Sequence, residues 1–135
     1  MAGADAQEEI RAVFDQMIAA MNAGDAERVR SLLSERPDAV HIGSDDEEWW
    51  TSKQLVDAIA AGGAEGGDGI QGVGNDIEIH VQGDVAWAEG HGRFIGPDGR
   101  ERAFRMTAVA VREGGQWKVA QSHASLGVPN ADMFG

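Results

Sequence analysis

The run Gln116-Trp117-Lys118-Val119-Ala120-Gln121-Ser122-His123-Ala124-Ser125, continuing as Leu126-Gly127-Val128-Pro129-Asn130, decides the fold. It follows a Gly114-Gly115 turn and alternates in character at every second residue, the mark of a strand whose two faces meet different surroundings. On strict alternation, Trp117, Val119, Gln121, His123 and Ser125 share one face, and Lys118, Ala120, Ser122, Ala124 and Leu126 share the other. The first face opens on a large aromatic and ends on an imidazole. The second is mostly small residues that let another layer approach closely. Such a closing strand points to a pocket floored by Trp117, Val119, Gln121 and His123, with the opposite assignment of faces as the alternative.

Upstream of it, turn signals at Gly83-Asp84 and Pro97-Asp98-Gly99 separate three more alternating segments, so strands are expected over about 77–82, 85–95, 103–113 and 117–126. Short turns between them favour an antiparallel meander. In the second segment Trp87, Glu89, His91 and Arg93 share a face, opposite Ala86, Ala88, Gly90 and Gly92. In the third, Phe104, Met106, Ala108 and Ala110 oppose Thr107, Val109 and Val111, so both faces need cover. Helices would cover one and a partner subunit the other.

The N-terminal half is patterned for helices. Asp5 can cap a helix in which Ile10, Val13, Phe14, Met17, Ile18 and Met21 form one apolar stripe. Asn22-Ala23-Gly24 stops it, and Asp25 caps a second helix carrying Val29, Leu32 and Leu33, which Pro37 closes. Residues 39–43 read as a short strand and 44–48 as a solvated acidic turn without the ligand spacing of a calcium loop. Thr51 and Gln54 fit a capping box for a third helix with Leu55, Val56 and Ile59. The glycine-rich stretch 62–74 lacks a phosphate-loop pattern and reads as a flexible loop, an irregular strand start or a lid over a pocket. Helices first and strands afterwards indicate α+β, and 135 residues suit one domain spanning 1–135.

Composition narrows the partners. A formal charge of −12 with only two lysines, Lys53 and Lys118, argues against nucleic acid and against acidic membrane surfaces. Cysteine is absent, which removes disulfides and thiolate metal sites; Met1-Ala2-Gly3-Ala4-Asp5 lacks the basic and apolar regions of a signal peptide, and no apolar run is long enough to span a bilayer. A cytoplasmic location follows as the expectation. The four histidines, His41, His80, His91 and His123, show no ligating spacing, so no metal is expected. Nor does any motif call for a cofactor.

Several pieces, in this order and spacing, resemble the family of domains shaped like nuclear transport factor 2, and within it the polyketide-cyclase-like, or SnoaL-like, branch often labelled ketosteroid-isomerase-like. They are Met21-Asn22-Ala23-Gly24-Asp25, His41-Ile42-Gly43-Ser44-Asp45 with Glu48-Trp49-Trp50-Thr51, Gly83-Asp84-Val85-Ala86-Trp87, and Gly114-Gly115-Gln116-Trp117-Lys118-Val119 through His123 to Pro129-Asn130. The resemblance implies three helices packed in the concave face of a strongly curved antiparallel sheet, a cone-shaped half-barrel with a cystatin-like α+β outline. It also implies a pocket at the open end and a homodimer through the convex sheet face. It does not imply one activity. The steroid-isomerase residues of such proteins are missing: Met17 stands where the first-helix Tyr would be, the base would fall near Ile42 or Gly43, and the strand Asp near Ala108 or Val109. Ketosteroid isomerisation is therefore not expected.

What remains for acid–base chemistry is His123, Glu89 and His91, which could meet in a pocket with Phe14, Met17, Met21, His41, Trp50, Trp87, Met106 and Gln121 around them. Serine nucleophiles lack an elbow motif. The expected function is binding of a small apolar or uncharged organic molecule, as a binding protein or as an acid–base enzyme of isomerase, cyclase or dehydratase type. A noncatalytic dimerisation or association module is the alternative.

Overall fold

The computed structural model describes residues 2–62 and 69–135. Its elements run α1 (Ala2–Ala23), α2 (Ala26–Leu32), β1 (Val40–Ile42), β2 (Trp49–Trp50), α3 (Ser52–Ala60), β3 (Gln71–Gln82), β4 (Val85–Ile95), β5 (Glu101–Glu113) and β6 (Gln116–Ser125). The strands form one six-stranded sheet in the order β2-β1-β6-β5-β4-β3, with the helices on its concave face. The expected α+β architecture is thus present.

The helix signals act as their chemistry dictates. The Asp25 carboxylate accepts from the Arg28 N–H at 3.1 Å, and Thr51 and Gln54 form the reciprocal capping box. Helix α1 begins at Ala2, so Asp5 lies in its first turn rather than capping it. Ile10, Phe14, Met17 and Ala20 of α1 are buried together with Val29 and Leu32 of α2 and Leu55, Val56 and Ile59 of α3. Against them the sheet presents Ile79, Ala86, Ala88, Ala108, Ala110, Trp117 and Val119. The alanines keep this wall thin, which lets α1 come close to the strands.

Two glycines make a tighter demand. A Cβ on Gly92 would lie 2.4 Å from the Val73 carbonyl oxygen and 2.4 Å from Cζ of Phe104, and one on Gly90 would lie 2.4 Å from the Asp76 carbonyl oxygen. At this point β3 is bulged between Gly74 and Asp76, and the bare β4 backbone accommodates it. Of the glycine-rich stretch, residues 63–68 lie outside the described residues, while Gln71 onward is strand. The side chain of Asn22, at the end of α1, holds that strand start: its Oδ1 accepts from Gly72 N–H at 2.8 Å and its Nδ2 donates to Gly72 O at 2.9 Å.

The sheet departs from a pure antiparallel meander on one side. Strand β1 pairs parallel with β6, His41 opposite Ser122 and Ile42 opposite His123, and antiparallel with the two-residue β2. Residues of one chain direction, 33–42, follow β6 from the bridge Leu33↔Val119 to Ile42↔His123.

The register of β6 corrects the expected faces. Ala110 pairs with Val119 and Val109 with Gln121, so Ala120 is an extra residue, a β-bulge. One inserted residue reverses the phase of everything after it. Trp117 and Val119 point into the core, and beyond the bulge the inward residues are Ser122 and Ala124, while Gln121, His123 and Ser125 face outward. Trp117 and His123, expected on one face, are on opposite faces. The same register places Trp87, Glu89 and His91 on the convex side and Ala86, Ala88, Gly90 and Gly92 on the concave side.

Candidate functional site

The concave side holds a half-open apolar cavity of about 150 Å³. Phe14, Met17, Ile18 and Met21 of α1 form one wall, and Phe94, Phe104, Met106 and Ala108 of β4 and β5 another. Phe94 and Phe104 stack at 4.5 Å between ring centroids. Trp50 and Leu55 complete it from the other end of the fold. Six of the eight residues expected around a ligand, Phe14, Met17, Met21, His41, Trp50 and Met106, line this cavity; Trp87 and Gln121 do not, because they lie on the convex rows.

Its polar lining is sparse and mostly committed. Asn22 is clamped to Gly72 as described. His41 is buried, with 2% exposure, and both ring nitrogens are occupied: Nδ1 stands 2.9 Å from Ser122 Oγ and Nε2 stands 3.0 Å from Ser52 Oγ. The Ser52 hydroxyl donates to the Ser34 carbonyl at 2.7 Å, so toward His41 it can only accept, and Nε2 carries the imidazole proton. Nδ1 is then the acceptor, and the Ser122 hydroxyl donates to it. Ser34 itself is fully buried, its N–H donating to Val119 O and its hydroxyl to Glu113 Oε2 at 2.6 Å. This chain of bonds ties α3, β1, β6 and the segment after α2 to one another.

Burial pushes the His41 pKa down to about 4, so the imidazole is neutral at physiological pH. A serine hydroxyl on an imidazole is the first half of a nucleophile–base pair. The second half is wrong here, since the imidazole leans on a serine hydroxyl that leads to a carbonyl, with no carboxylate to stabilise an imidazolium. With its proton affinity lowered by burial, His41 is too weak a base to activate Ser122. The array orients groups; it does not deliver a nucleophile.

Among the described residues Glu48 is the carboxylate of the cavity lining, whereas its sequence neighbourhood reads as a solvated acidic turn. Its Oε1 accepts from Asp45 N–H at 3.0 Å, and its side chain packs over Gly43, where a Cβ would fall 2.2 Å from that oxygen. The signal for it was period-two alternation: Glu48 and Trp50 turn inward while Trp49 between them is 68% exposed. Phe94 and Ser122 were also missed, the second because the bulge at Ala120 cannot be read from residue type.

The candidate acid–base residues lie elsewhere. Glu89, His91 and His123 line one depression on the convex face, with Asp76, Glu78, Arg105, Thr107 and Ser125. The rows Glu78↔Glu89↔Thr107↔His123 and Asp76↔His91↔Arg105↔Ser125 cross the sheet side by side. Phe14 and Trp50 are on the other side of the sheet, so the expected single pocket is two. The partner of Glu89 is His80, at 2.8 and 3.0 Å, and His80 stacks on Trp87 at 5.7 Å. His91 approaches Asp76 at 4.0 Å. Although β6 passes both depressions at His123, its imidazole belongs to the convex row. Among the described residues no three His, Asp or Glu side chains are arranged to hold a metal ion, and no helix is long and apolar enough to cross a membrane.

Known proteins share this geometry. No curated protein sequence matches the chain significantly. Among solved structures, an NTF2-like protein of unknown function from Pseudomonas putida KT2440 superposes with a TM-score of 0.80 at 19% identity, over 94% of this chain and 90% of that one. A proposed dehydratase of the NTF2-like family from Streptomyces avermitilis gives 0.76 at 19% identity, over 90% and 96% of the two chains. A proposed calcium/calmodulin dependent protein kinase II association domain from Xanthomonas campestris gives 0.71 at 23% identity, over 90% and 87%. Identities this low carry the fold and leave the activity open. The SnoaL-like domain family matches residues 10–129, nearly the whole sequence, and the chain belongs to that family, built on the NTF2-like fold.

Proposed function

We propose that this domain binds a small, mainly apolar organic molecule in the concave cavity. The observation that carries the proposal is the cavity itself: about 150 Å³ of space walled by α1 methionines, paired phenylalanines and Trp50. An apolar void of that order suffices for one six-membered ring. Three methionines, Met17, Met21 and Met106, give the walls the adaptability of a site that accepts shape variation. If chemistry accompanies binding, Glu48 is the carboxylate whose residue borders the cavity, and acid–base chemistry of isomerase, cyclase or dehydratase type is the class it would support. The dehydratase proposed for the Streptomyces avermitilis neighbour is consistent with that class.

The test is a thermal-shift series with toluene and cyclohexanol on the wild type and on Ala108→Phe, which fills the cavity from a position 3% exposed. Both probes should raise the midpoint of the wild type and leave the filled variant unmoved. Equal responses in the two proteins would refute binding in the cavity.

A second reading, pairing of two copies through the convex face as an association module, is favoured by one observation. Val85 and Trp87, 44% and 45% exposed at the start of β4, stand opposite Val111 and Val109 and make an apolar patch at one end of that face. Light scattering should give twice the monomer mass, and Trp87→Asp should return it to the monomer. A monomeric wild type at micromolar concentration would exclude it.

A further inference from the structure

We propose that the cavity selects, among small apolar molecules, those that present a hydrogen-bond donor, an alcohol or an amine, with Ser122 Oγ as the acceptor that recognises it. The inference rests on the reading of the cavity as a binding site and adds the chemical class of what it binds.

The argument is one of proton direction. Each hydroxyl has a single proton and a neutral imidazole has a single N–H. The Ser34 carbonyl can only accept, which fixes the Ser52 proton upon it at 2.7 Å. Ser52 Oγ must then accept from His41 Nε2, leaving Nδ1 without a proton. Nδ1 at 2.9 Å takes the Ser122 proton. The ring orientation follows from the same two bonds, since a half-turn about Cβ–Cγ would set Cδ2 against Ser122 and Cε1 against Ser52 and lose both. Ser122 therefore has lone pairs to offer the cavity and no proton.

Placement makes that acceptor count. In the sheet row Ser122 stands between Ala108, 3% exposed, and His41, 2% exposed, and it borders the cavity among apolar neighbours. A ligand hydroxyl or N–H arriving there finds a partner. A ketone oxygen set at the same place meets only the lone pairs of Ser122 and gains no bond from it. Anions fare worse: among the described residues no Lys or Arg borders the cavity, Glu48 does, and the chain carries −12 overall.

The experiment is a titration series read by the methionine methyl resonances, using cyclohexanol, cyclohexanone, cyclohexanecarboxylate and the hydrocarbon cyclohexene. It is run on wild type, Ser122→Thr and Ser122→Val. Thr keeps the hydroxyl and Val replaces it with a methyl of like shape that also covers His41 Nδ1. In wild type and Ser122→Thr, cyclohexanol should bind about fivefold or more tightly than cyclohexanone, and the carboxylate not measurably. In Ser122→Val the preference for the alcohol should fall to within about twofold. Equal binding of alcohol and ketone to wild type, tighter binding of the carboxylate, or a preference surviving in Ser122→Val would each overturn the inference. In those cases cyclohexene binding would leave the cavity's role intact, whereas failure of all four probes would overturn both.

Discussion

The two faces of one sheet have been put to opposite uses. On the concave side, the row Ile79↔Ala88↔Ala108↔Ser122↔His41 turns inward, and its polar side chains are matched to one another and to Ser52. On the convex side, the next row, Glu78↔Glu89↔Thr107↔His123, consists of exposed side chains that keep their hydration. The comparison teaches that an ionisable residue is no guide to a site by itself. His41, the most deeply buried histidine, borders the apolar cavity with its pKa pushed down to about 4, while Glu89 and His91, the residues the sequence favoured for acid–base work, line the convex depression.

The largest expected difference between the faces is in stability. Phe14→Ala, emptying a buried ring from the concave side, should cost about 3 kcal/mol in chemical denaturation, the low end for such a truncation because part of the ring already borders a void. A cost near that for convex Trp87→Ala would break the distinction.

Next comes pH. The folded His41 holds its pKa at about 4 against the ordinary 6.5, so the unfolded chain binds a proton that the folded chain refuses. Its contribution is fully present above about pH 6.5 and is lost as the pH falls toward 4, at most about 3 kcal/mol over that window. Denaturation midpoints of wild type and His41→Asn at several pH values should converge as the pH falls, and parallel curves would show that His41 is not held neutral.

A smaller effect is expected at Gly92, where an added Cβ has nowhere to go against Val73 O and the Phe104 ring. Gly92→Ala should destabilise by about 1–3 kcal/mol. It should also shift the Phe94 and Phe104 ring signals, and an unchanged spectrum would mean that β3 and β4 are looser than described. Smallest of all, Trp87→Ala should change monomer stability by less than about 1 kcal/mol, since nearly half of its surface is already in water.

Much of this was legible in the residues. The α1 stripe, the Asp25 cap, the Thr51–Gln54 box and four strands separated by glycine turns are local signals, and local chemistry fixed them. Six cavity residues were legible for the same reason, as the inward points of a helix stripe and of strand alternation. His123 failed as a companion of Trp117 because alternation holds only within an unbroken ladder. The extra residue at Ala120 lies just where β6, paired with β5 on one side, takes up the parallel β1 on the other, a tertiary arrangement with no local signature. Glu89 paired with His80 rather than His91 or His123, since the antiparallel register set β3 beside it before any long-range partner.

The most direct test of the division between faces uses the methionines as reporters. Met17, Met21 and Met106 border the concave cavity, while Met133 is exposed near the C-terminus, 56% accessible, and serves as an internal control. With methyl-labelled methionine, titration with cyclohexanol should move the three cavity methyls in a single saturable transition and leave Met133 and the Trp87 indole N–H where they are. Saturable shifts at Trp87 and His123 with the cavity methyls unmoved would contradict the account and put the binding site on the convex face.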